Sequence, residues 1–134
     1  MRKRMFLLVF LAGVFLAACN TGQPQIALET TNIDLGDMVN GEIVAREVTV
    51  QNTGVAELVI ESVSTSCGCT QATLEPMIIP AGSKSTLRIE FDSGAHGPEL
   101  TGQLIRQIFI ASNDPLQPEM VVEIMANILP PDGS

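Results

Sequence analysis

The sequence has no tryptophan or tyrosine, and its 134 residues include five phenylalanines and one histidine. A catalytic Ser-His or Cys-His arrangement would have to be built around that single imidazole, His96. The chain also lacks a glycine-rich phosphate loop and the HExxH and GxSxG motifs. These absences argue against an enzyme.

Basic residues are scarce as well, and three of the seven lysines and arginines lie at positions 2–4. Without residues 1–18, which contain no acidic residue, the formal net charge falls from −8 to about −11. A surface of this charge repels nucleic-acid phosphates and anionic lipid headgroups. We therefore expect no nucleic-acid partner, and we expect any membrane attachment to come from a lipid.

The basic start precedes an apolar run from Met5 to Ala18. That run is shorter than the roughly 20 residues that a membrane-spanning helix needs, so we interpret residues 1–18 as a helical signal peptide. The run ends in Leu16-Ala17-Ala18-Cys19, which resembles the lipobox of bacterial lipoproteins, in which the cysteine is lipidated and begins the mature chain. The alternative is an ordinary signal peptide followed by a chance cysteine.

Lipidation of Cys19 would hold the protein stably at a membrane, because two or more acyl chains anchor where one does not. Residues 19–25 form a polar, lipidated tether that reaches about 20 Å when extended, at roughly 3.3 Å per residue. Under the lipoprotein sorting rule, Asn20 points to the periplasmic side of the outer membrane if the cell has two membranes. We therefore expect an exported protein that is anchored to a bacterial membrane by its lipid.

Most of the remaining chain alternates apolar and polar residues, which is typical of strands with one buried face. Residues 86–92 alternate without a fault, and the last such segment has apolar residues at every second position from Met120 to Ile128. Glycine, proline and asparagine interrupt the pattern about every 8–12 residues, as expected between short strands. The pattern predicts an all-β protein with an antiparallel β-sandwich over residues 26–129 and a tail at 130–134.

One segment breaks the alternation. Leu58 and Ile60 share one phase, whereas Val63 is out of register with them. A β-bulge near residues 61–62 would correct the phase and would re-aim the residues that follow it. Those residues include the Cys-Gly-Cys at 67–69.

Several short motifs occur in an order that resembles a known family. They are Leu35-Gly36, Gly41, Asn52-Thr53-Gly54, Ser66-Cys67-Gly68-Cys69-Thr70, Pro80-Ala81-Gly82, Phe91-Asp92 and Ser112-Asn113-Asp114-Pro115. From about Ile26 to Ile128 the chain is similar to the bacterial domain-of-unknown-function family number 1573, a relative of the Hydin-like immunoglobulin-like domains. The resemblance implies an immunoglobulin-like sandwich of about seven strands, often secreted or lipid-anchored, and it implies little about chemistry.

The two cysteines of this motif are the candidate functional site. In a regular strand, residues two apart have β-carbons about 6–7 Å apart, whereas a disulfide needs roughly 3.5–4.5 Å. A Cys67–Cys69 disulfide therefore requires Gly68 to bend the chain sharply, and such a bond would be easily reduced. Otherwise the two cysteines pack as small apolar side chains.

Two thiolates on one face would also suit a soft metal ion such as Cu(I) or Zn(II). His96 is the one imidazole that could complete the site, and Met77 could offer a thioether to copper; no other cofactor is expected. A third role is thiol–disulfide exchange, although no lysine or arginine adjoins Cys67 or Cys69 in the sequence to activate a thiol. Structural, metal-binding and redox roles therefore stay open.

The leading hypothesis is a lipid-anchored, non-catalytic binding or scaffolding module of the cell envelope with a protein partner. Immunoglobulin-like domains bind partners through end loops and open sheet edges, to which a partner strand can be added. We predict these edges at residues 25–29 and 103–111.

Overall fold

The computed structural model describes residues 22–132. The predicted signal peptide, 1–18, and the predicted lipidation site, Cys19, lie outside the described residues. No helix within 22–132 has the length and hydrophobicity needed to cross a membrane. The described chain consists of nine strands: β1 (Ile26–Leu28), β2 (Asn32–Val39), β3 (Ile43–Asn52), β4 (Leu58–Thr65), β5 (Thr70–Glu75), β6 (Ile78–Ile79), β7 (Lys84–Asp92), β8 (Gly102–Ser112) and β9 (Glu119–Leu129).

The strands form two sheets that pack face to face. One sheet has the order β1-β3-β7-β5, and the other has the order β2-β9-β8-β4-β6. Neighbouring strands are antiparallel except for β2 and β9, which run parallel. The predicted immunoglobulin-like sandwich is confirmed. It has nine strands and not about seven, because the count includes the short strands β1 and β6, which have three and two residues.

The core lies between the sheets and is built by the alternation visible in the sequence. In β7, Leu87, Ile89 and Phe91 are buried, while the residues between them are exposed. Fully burying an aliphatic or phenylalanine side chain contributes about 1.5–3 kcal/mol relative to leaving it exposed. A large buried cluster fills most of the sandwich, and a smaller cluster that includes Phe91 and Cys69 closes one end.

The two ends of the sandwich have different loops. One end, called here the Asn52 end, carries residues 22–25 and the loops 53–57, 76–77, 80–83 and 113–118. The other, called the cysteine end, carries the loops 40–42, 66–69 and 93–101. β3 runs from one end to the other, and its ten residues at about 3.3 Å each separate the ends by about 30 Å.

Only one of the two predicted sheet edges is an edge. β1 is an edge strand as expected, whereas β8 lies between β9 and β4 in the middle of its sheet. The prediction of an edge at 103–111 was therefore wrong. Alternation shows which face of a strand is buried, but it does not determine which strands lie beside it.

The Asn52-Thr53-Gly54 motif connects several segments at the Asn52 end. The side chain of Asn52 is completely buried. Its Oδ1 accepts hydrogen bonds from the N–H groups of Gln25 (3.3 Å) and Gly54 (3.0 Å). Its Nδ2 donates to the carbonyls of Ala56 (2.7 Å) and Ile79 (2.9 Å). The Asn52 side chain therefore holds several segments of this end together.

Asp114, from the Ser112-Asn113-Asp114-Pro115 motif, is also buried, and its carboxylate likewise holds neighbouring segments together. Its Oδ2 accepts from the N–H of Ile26 at 2.9 Å, which ties β1 to the β8–β9 loop. Its Oδ1 accepts from the N–H groups of Leu116 (2.8 Å) and Gln117 (3.1 Å). Desolvation raises the pKa of Asp114, but the three backbone donors together outweigh it and hold that pKa below its ordinary value.

Asp114→Asn should lower the free energy of unfolding by about 2 kcal/mol at neutral pH, because charge-assisted hydrogen bonds are lost. The folded-state pKa is depressed below 3.8. The stabilisation by the carboxylate is therefore complete above that pH and is lost as the pH falls through the lower, folded-state value. Urea unfolding across this range should show the difference between the two proteins shrinking in acid.

The exposed carboxylate of Glu61 provides the control for this experiment. Glu61→Gln should change stability by less than about 0.5 kcal/mol at neutral pH. A difference between wild type and Asp114→Asn that stays constant from neutral to acid pH would contradict the role given to the carboxylate.

Candidate functional site

The predicted bulge in β4 is confirmed, and it determines which side chains of the following residues face the core. The pairing of β4 with β8 shifts register between Ile60 and Ser62. Beyond the shift, Val63 pairs with Ile110 and packs against the core. The same phase then brings Cys67 against the smaller core cluster at the cysteine end.

Residues 66–69 form the turn from β4 to β5, and Cys67 and Cys69 are joined by a disulfide. Their Cα atoms are 5.3 Å apart, a separation that a disulfide can bridge and an extended strand cannot supply. The condition set by the sequence, a sharp bend at Gly68, is met. Cys69 is buried and Cys67 is half-buried, so the two sulfurs differ in access.

The turn is tied to both sheets. The N–H of Ser66 donates to the carbonyl of Gln107, and the N–H of Gln107 donates to the Ser66 hydroxyl, both at 2.9 Å. On the other side, the N–H of Asp92 donates to the carbonyl of Cys69 at 2.9 Å. The disulfide therefore sits on a supported turn that connects β8 to β7.

Two polar side chains contact the sulfurs. The hydroxyl of Thr70, which is buried, lies 3.6 Å from Sγ of Cys67 and 3.7 Å from Sγ of Cys69. Nε of Arg106 donates to Sγ of Cys69 at 3.3 Å.

Arg106 was missed by the sequence reasoning, which considered only cations adjacent along the chain. No lysine or arginine adjoins either cysteine along the chain, and the structure places the distant Arg106 beside Cys69 instead. A signal was available in the sequence, because Arg106 shares the inward-facing phase of Leu104 and Ile108 in β8. Arg106 lies four residues after the start of β8, just beyond the point where β4 stops pairing with that strand, and its guanidinium donates to a sulfur of the turn that follows β4.

His96 lies in the 93–101 loop, which is held in place by the β2–β3 turn. The Ser93 hydroxyl donates to the carbonyls of Val39 (3.0 Å) and Glu42 (2.9 Å). Nδ2 of Asn40 donates to the carbonyls of Gly97 and Leu100, both at 2.9 Å. These bonds fix the base of the loop around an exposed imidazole.

The structure brings three of the predicted site residues together. A ring nitrogen of His96 and the sulfurs of Cys67 and Cys69 all lie within 4.8 Å of one another. Within residues 22–132 this is the group of histidine, cysteine and carboxylate side chains with the spacing of a metal site. Because the sulfurs are joined, thiolate ligands for a soft metal would exist only after reduction.

Met77 does not belong to this group. Its carbonyl accepts from the N–H of Ile60 at 2.8 Å, which places it at the Asn52 end. The part of the chain from Ile60 to Cys67 spans about 20 Å at roughly 3.3 Å per residue. The predicted thioether ligand is therefore too far from the cysteines.

The disulfide adds little to stability through chain entropy. The two cysteines are only two residues apart in sequence. Closing so small a loop restricts the unfolded chain by about 1.5 kcal/mol, against about 3 kcal/mol for a 15-residue loop. A purely stabilising cross-link would gain more from a larger loop.

Solved structures place the fold in the PapD-like, immunoglobulin-type class. The ASH / PapD-like domain 7 of human CEP192 has a TM-score of 0.60 at 9% identity, covering 81% of this chain and 87% of that domain. The E. coli chaperone DraB has a TM-score of 0.53 at 14% identity, covering 78% of this chain and 56% of the chaperone. Both likenesses concern the fold alone.

The sequence matches the model of the family described as "Protein of unknown function (DUF1573)" over residues 26–128, and the chain belongs to that family. The predicted resemblance is confirmed, and the family description carries no activity. A protein of unknown function from Porphyromonas gingivalis W83 has a TM-score of 0.73 at 25% identity. The match covers 85% of this chain and 51% of that protein, so this chain spans about half its length. A comparison with curated proteins gives no match.

Non-reducing peptide mapping of the full chain checks the disulfide directly. The peptide containing Cys67 and Cys69 should weigh about two mass units less than its reduced form, and it should take up alkylating reagent only after reduction. Gly68→Ala is the matched control, because an added Cβ meets no atom within 4 Å, and it should keep the bond. Two free thiols without metal would contradict the disulfide, and free thiols with a bound metal ion would support the metal alternative.

Proposed function

We propose that this chain is an exported lipoprotein, attached to a bacterial membrane through lipid on Cys19, and that its sandwich binds another protein of the cell envelope. The lipobox-like sequence supports the anchor. The PapD-like fold supports the binding role, since a solved neighbour with this fold is a chaperone by its printed name. The anionic composition of residues 19–134 favours a protein partner over a nucleic acid.

The observation that carries the binding role is the open edge at β5. In its sheet β5 pairs with β7 on one side and with no described strand on the other. The N–H of Asp92 bonds the carbonyl of Cys69, so residues 69, 71, 73 and 75 direct their backbone groups to β7. The backbone groups of Ala72 and Leu74 therefore face the open edge.

The neighbouring edge of the other sheet is also partly open. β6 covers β4 only at Leu58 and Val59, which leaves the rest of β4 without a partner strand on that side within the described range. β4 and β5 contact each other across the sandwich. An extended segment of a partner could add to β5 through main-chain hydrogen bonds, with the exposed side chains of Gln71 and Thr73 beside it.

The anchor would leave this surface accessible. The N–H of Val55 donates to the carbonyl of Gln23 at 3.0 Å, so the chain enters the sandwich at the Asn52 end. The cysteine end lies about 30 Å from that entry along the strands. A lipid on Cys19 would thus hold the Asn52 end near the membrane and direct the cysteine end away from it.

A second candidate function is the binding of Cu(I) or Zn(II) by Cys67, Cys69 and His96. The observation in its favour is the spacing of the three ligand atoms, all within 4.8 Å of one another. It requires the disulfide to be reduced, since thiolates are the ligands that soft metals prefer. The peptide mapping described above separates it from the disulfide-bonded form.

Ala72→Pro should abolish partner binding without unfolding the domain. Proline removes an N–H that faces the open edge, and no hydrogen bond to β7 is lost. A photo-crosslinking residue at Gln71 should capture a defined envelope protein in cells, and Ala72→Pro should reduce the adduct at least tenfold. Ala72→Ser keeps the N–H and should retain the adduct. Equal adducts from both variants, with unchanged thermal unfolding, would rule out strand addition at β5.

Cys19→Ser should release the protein from the membrane. Each buried methylene of an acyl chain contributes about 0.8 kcal/mol to anchoring, and the variant has no site for the chains. Cell fractionation should find wild type with the membranes and the variant in the aqueous fraction. A Cys67→Ser/Cys69→Ser double variant is the control and should stay with the membranes. A Cys19→Ser chain that remains membrane-bound would refute the lipid anchor.

A further inference from the structure

The two sulfurs of the disulfide are chemically unequal. Cys69 is 4% exposed, whereas Cys67 is half-buried, so Cys67 is the residue of the pair that is more accessible to an incoming thiolate. Arg106 donates to the sulfur of Cys69 at 3.3 Å. The accessible sulfur and the sulfur next to a positive charge are thus different atoms of the same bond.

This asymmetry matches what thiol–disulfide exchange requires. In such exchange a thiolate attacks one sulfur, and the other sulfur leaves with the electron pair. A leaving thiolate departs faster when its negative charge is stabilised. The Arg106 guanidinium provides that stabilisation at Cys69, and the Thr70 hydroxyl, 3.7 Å from the same sulfur, can donate a hydrogen bond to it.

We propose that Cys67–Cys69 is a redox centre that exchanges with a pair of thiols on another protein, with Cys67 as the attacked sulfur, Cys69 as the leaving sulfur and Arg106 as a positioning residue. The inference goes beyond the proposed binding function and does not depend on the β5 edge. The small loop supports a redox role, because a disulfide between cysteines only two residues apart contributes little to the stability of the fold.

The exchange balances in two steps. A thiolate of the partner attacks Sγ of Cys67, a mixed disulfide forms, and the Cys67–Cys69 bond breaks to leave a thiolate on Cys69. The second thiolate of the partner then attacks the partner's sulfur in the mixed disulfide, which forms the partner's disulfide and releases Cys67 as a thiolate. The partner's two sulfurs lose two electrons and the two cysteines gain them, while the protons that the partner's thiols release to solvent are balanced by two that solvent returns to the cysteine thiolates.

Trapping of a mixed disulfide tests which of the two sulfurs an external sulfur compound can reach, and the proposed order of exchange requires this to be Cys67. In the full chain carrying Cys69→Ser, Cys67 is left without its resolving partner. Oxidised glutathione should then form a stable mixed disulfide at Cys67, identified by peptide mass so that Cys19 is distinguished. The matched variant Cys67→Ser leaves the buried Cys69 and should react on the order of tenfold more slowly. Equal rates, or faster reaction at Cys69, would overturn the assignment.

Arg106 is tested by the rate at which a small dithiol, dithiothreitol, reduces the disulfide. Arg106→Met keeps an apolar stem without the charge and should slow reduction on the order of three- to tenfold, because the leaving thiolate loses its cation. Arg106→Lys restores a positive charge and should recover most of the rate. A purely structural role would not predict this rescue.

Two controls keep the result interpretable. Urea unfolding of each oxidised Arg106 variant checks that the fold is retained, and the trapping experiment does not alter Arg106 at all. Identical rates for wild type, Arg106→Met and Arg106→Lys would overturn the role of Arg106. Both tests use small-molecule reagents, a disulfide in one and a dithiol in the other, and not the partner protein. Their failure would therefore leave the β5-edge function standing, and loss of the β5 adduct would leave the redox centre standing.

Discussion

The position of one extra residue in β4 determines what lies at the cysteine end of the sandwich. Without the bulge between Ile60 and Ser62, the inward phase set by Leu58 and Ile60 would continue through three serines at positions 62, 64 and 66. Their hydroxyls would face the core, and Val63 would face solvent. A one-residue shift of register reverses every side chain that follows. The bulge thus turns Val63 towards the core, where it is partly buried, and brings the cysteine pair to the end of the core.

The candidate site depends on the position of the cysteine pair at this end of the core. The disulfide turn contacts β8 through Ser66 and β7 through Cys69, so the sulfurs lie where the two sheets meet. Arg106 reaches them because it occupies an inward position of β8 beside the disulfide turn. His96 arrives from a third direction, on a loop fastened by Asn40. The site is therefore an assembly of three loops and one strand.

Motifs that are prominent in the sequence divide into structural and chemical ones. Asn52 and Asp114 are buried, fully hydrogen-bonded and about 30 Å from the cysteines, so they serve the fold. The Cys-Gly-Cys motif differs, since its sulfurs contact a cation and a hydroxyl and lie within 4.8 Å of an imidazole nitrogen. Asn52 and Asp114 stabilise the Asn52 end, at which the chain enters the sandwich. The candidate functional site lies at the cysteine end.

The sequence by itself determined the all-β class, the buried face of the clearly alternating strands such as β7 and β9, and the bulge, because each of these follows from local alternation. The family followed from its short motifs, whose order resembles that of the family. The sequence also named Cys67, Cys69 and His96 as a set. Only the tertiary structure decided that β8 is a central strand, that Met77 is remote and that Arg106 touches Cys69. Those are properties of strand order and sheet packing, which bring together residues distant along the chain, and no local pattern encodes which strands become neighbours.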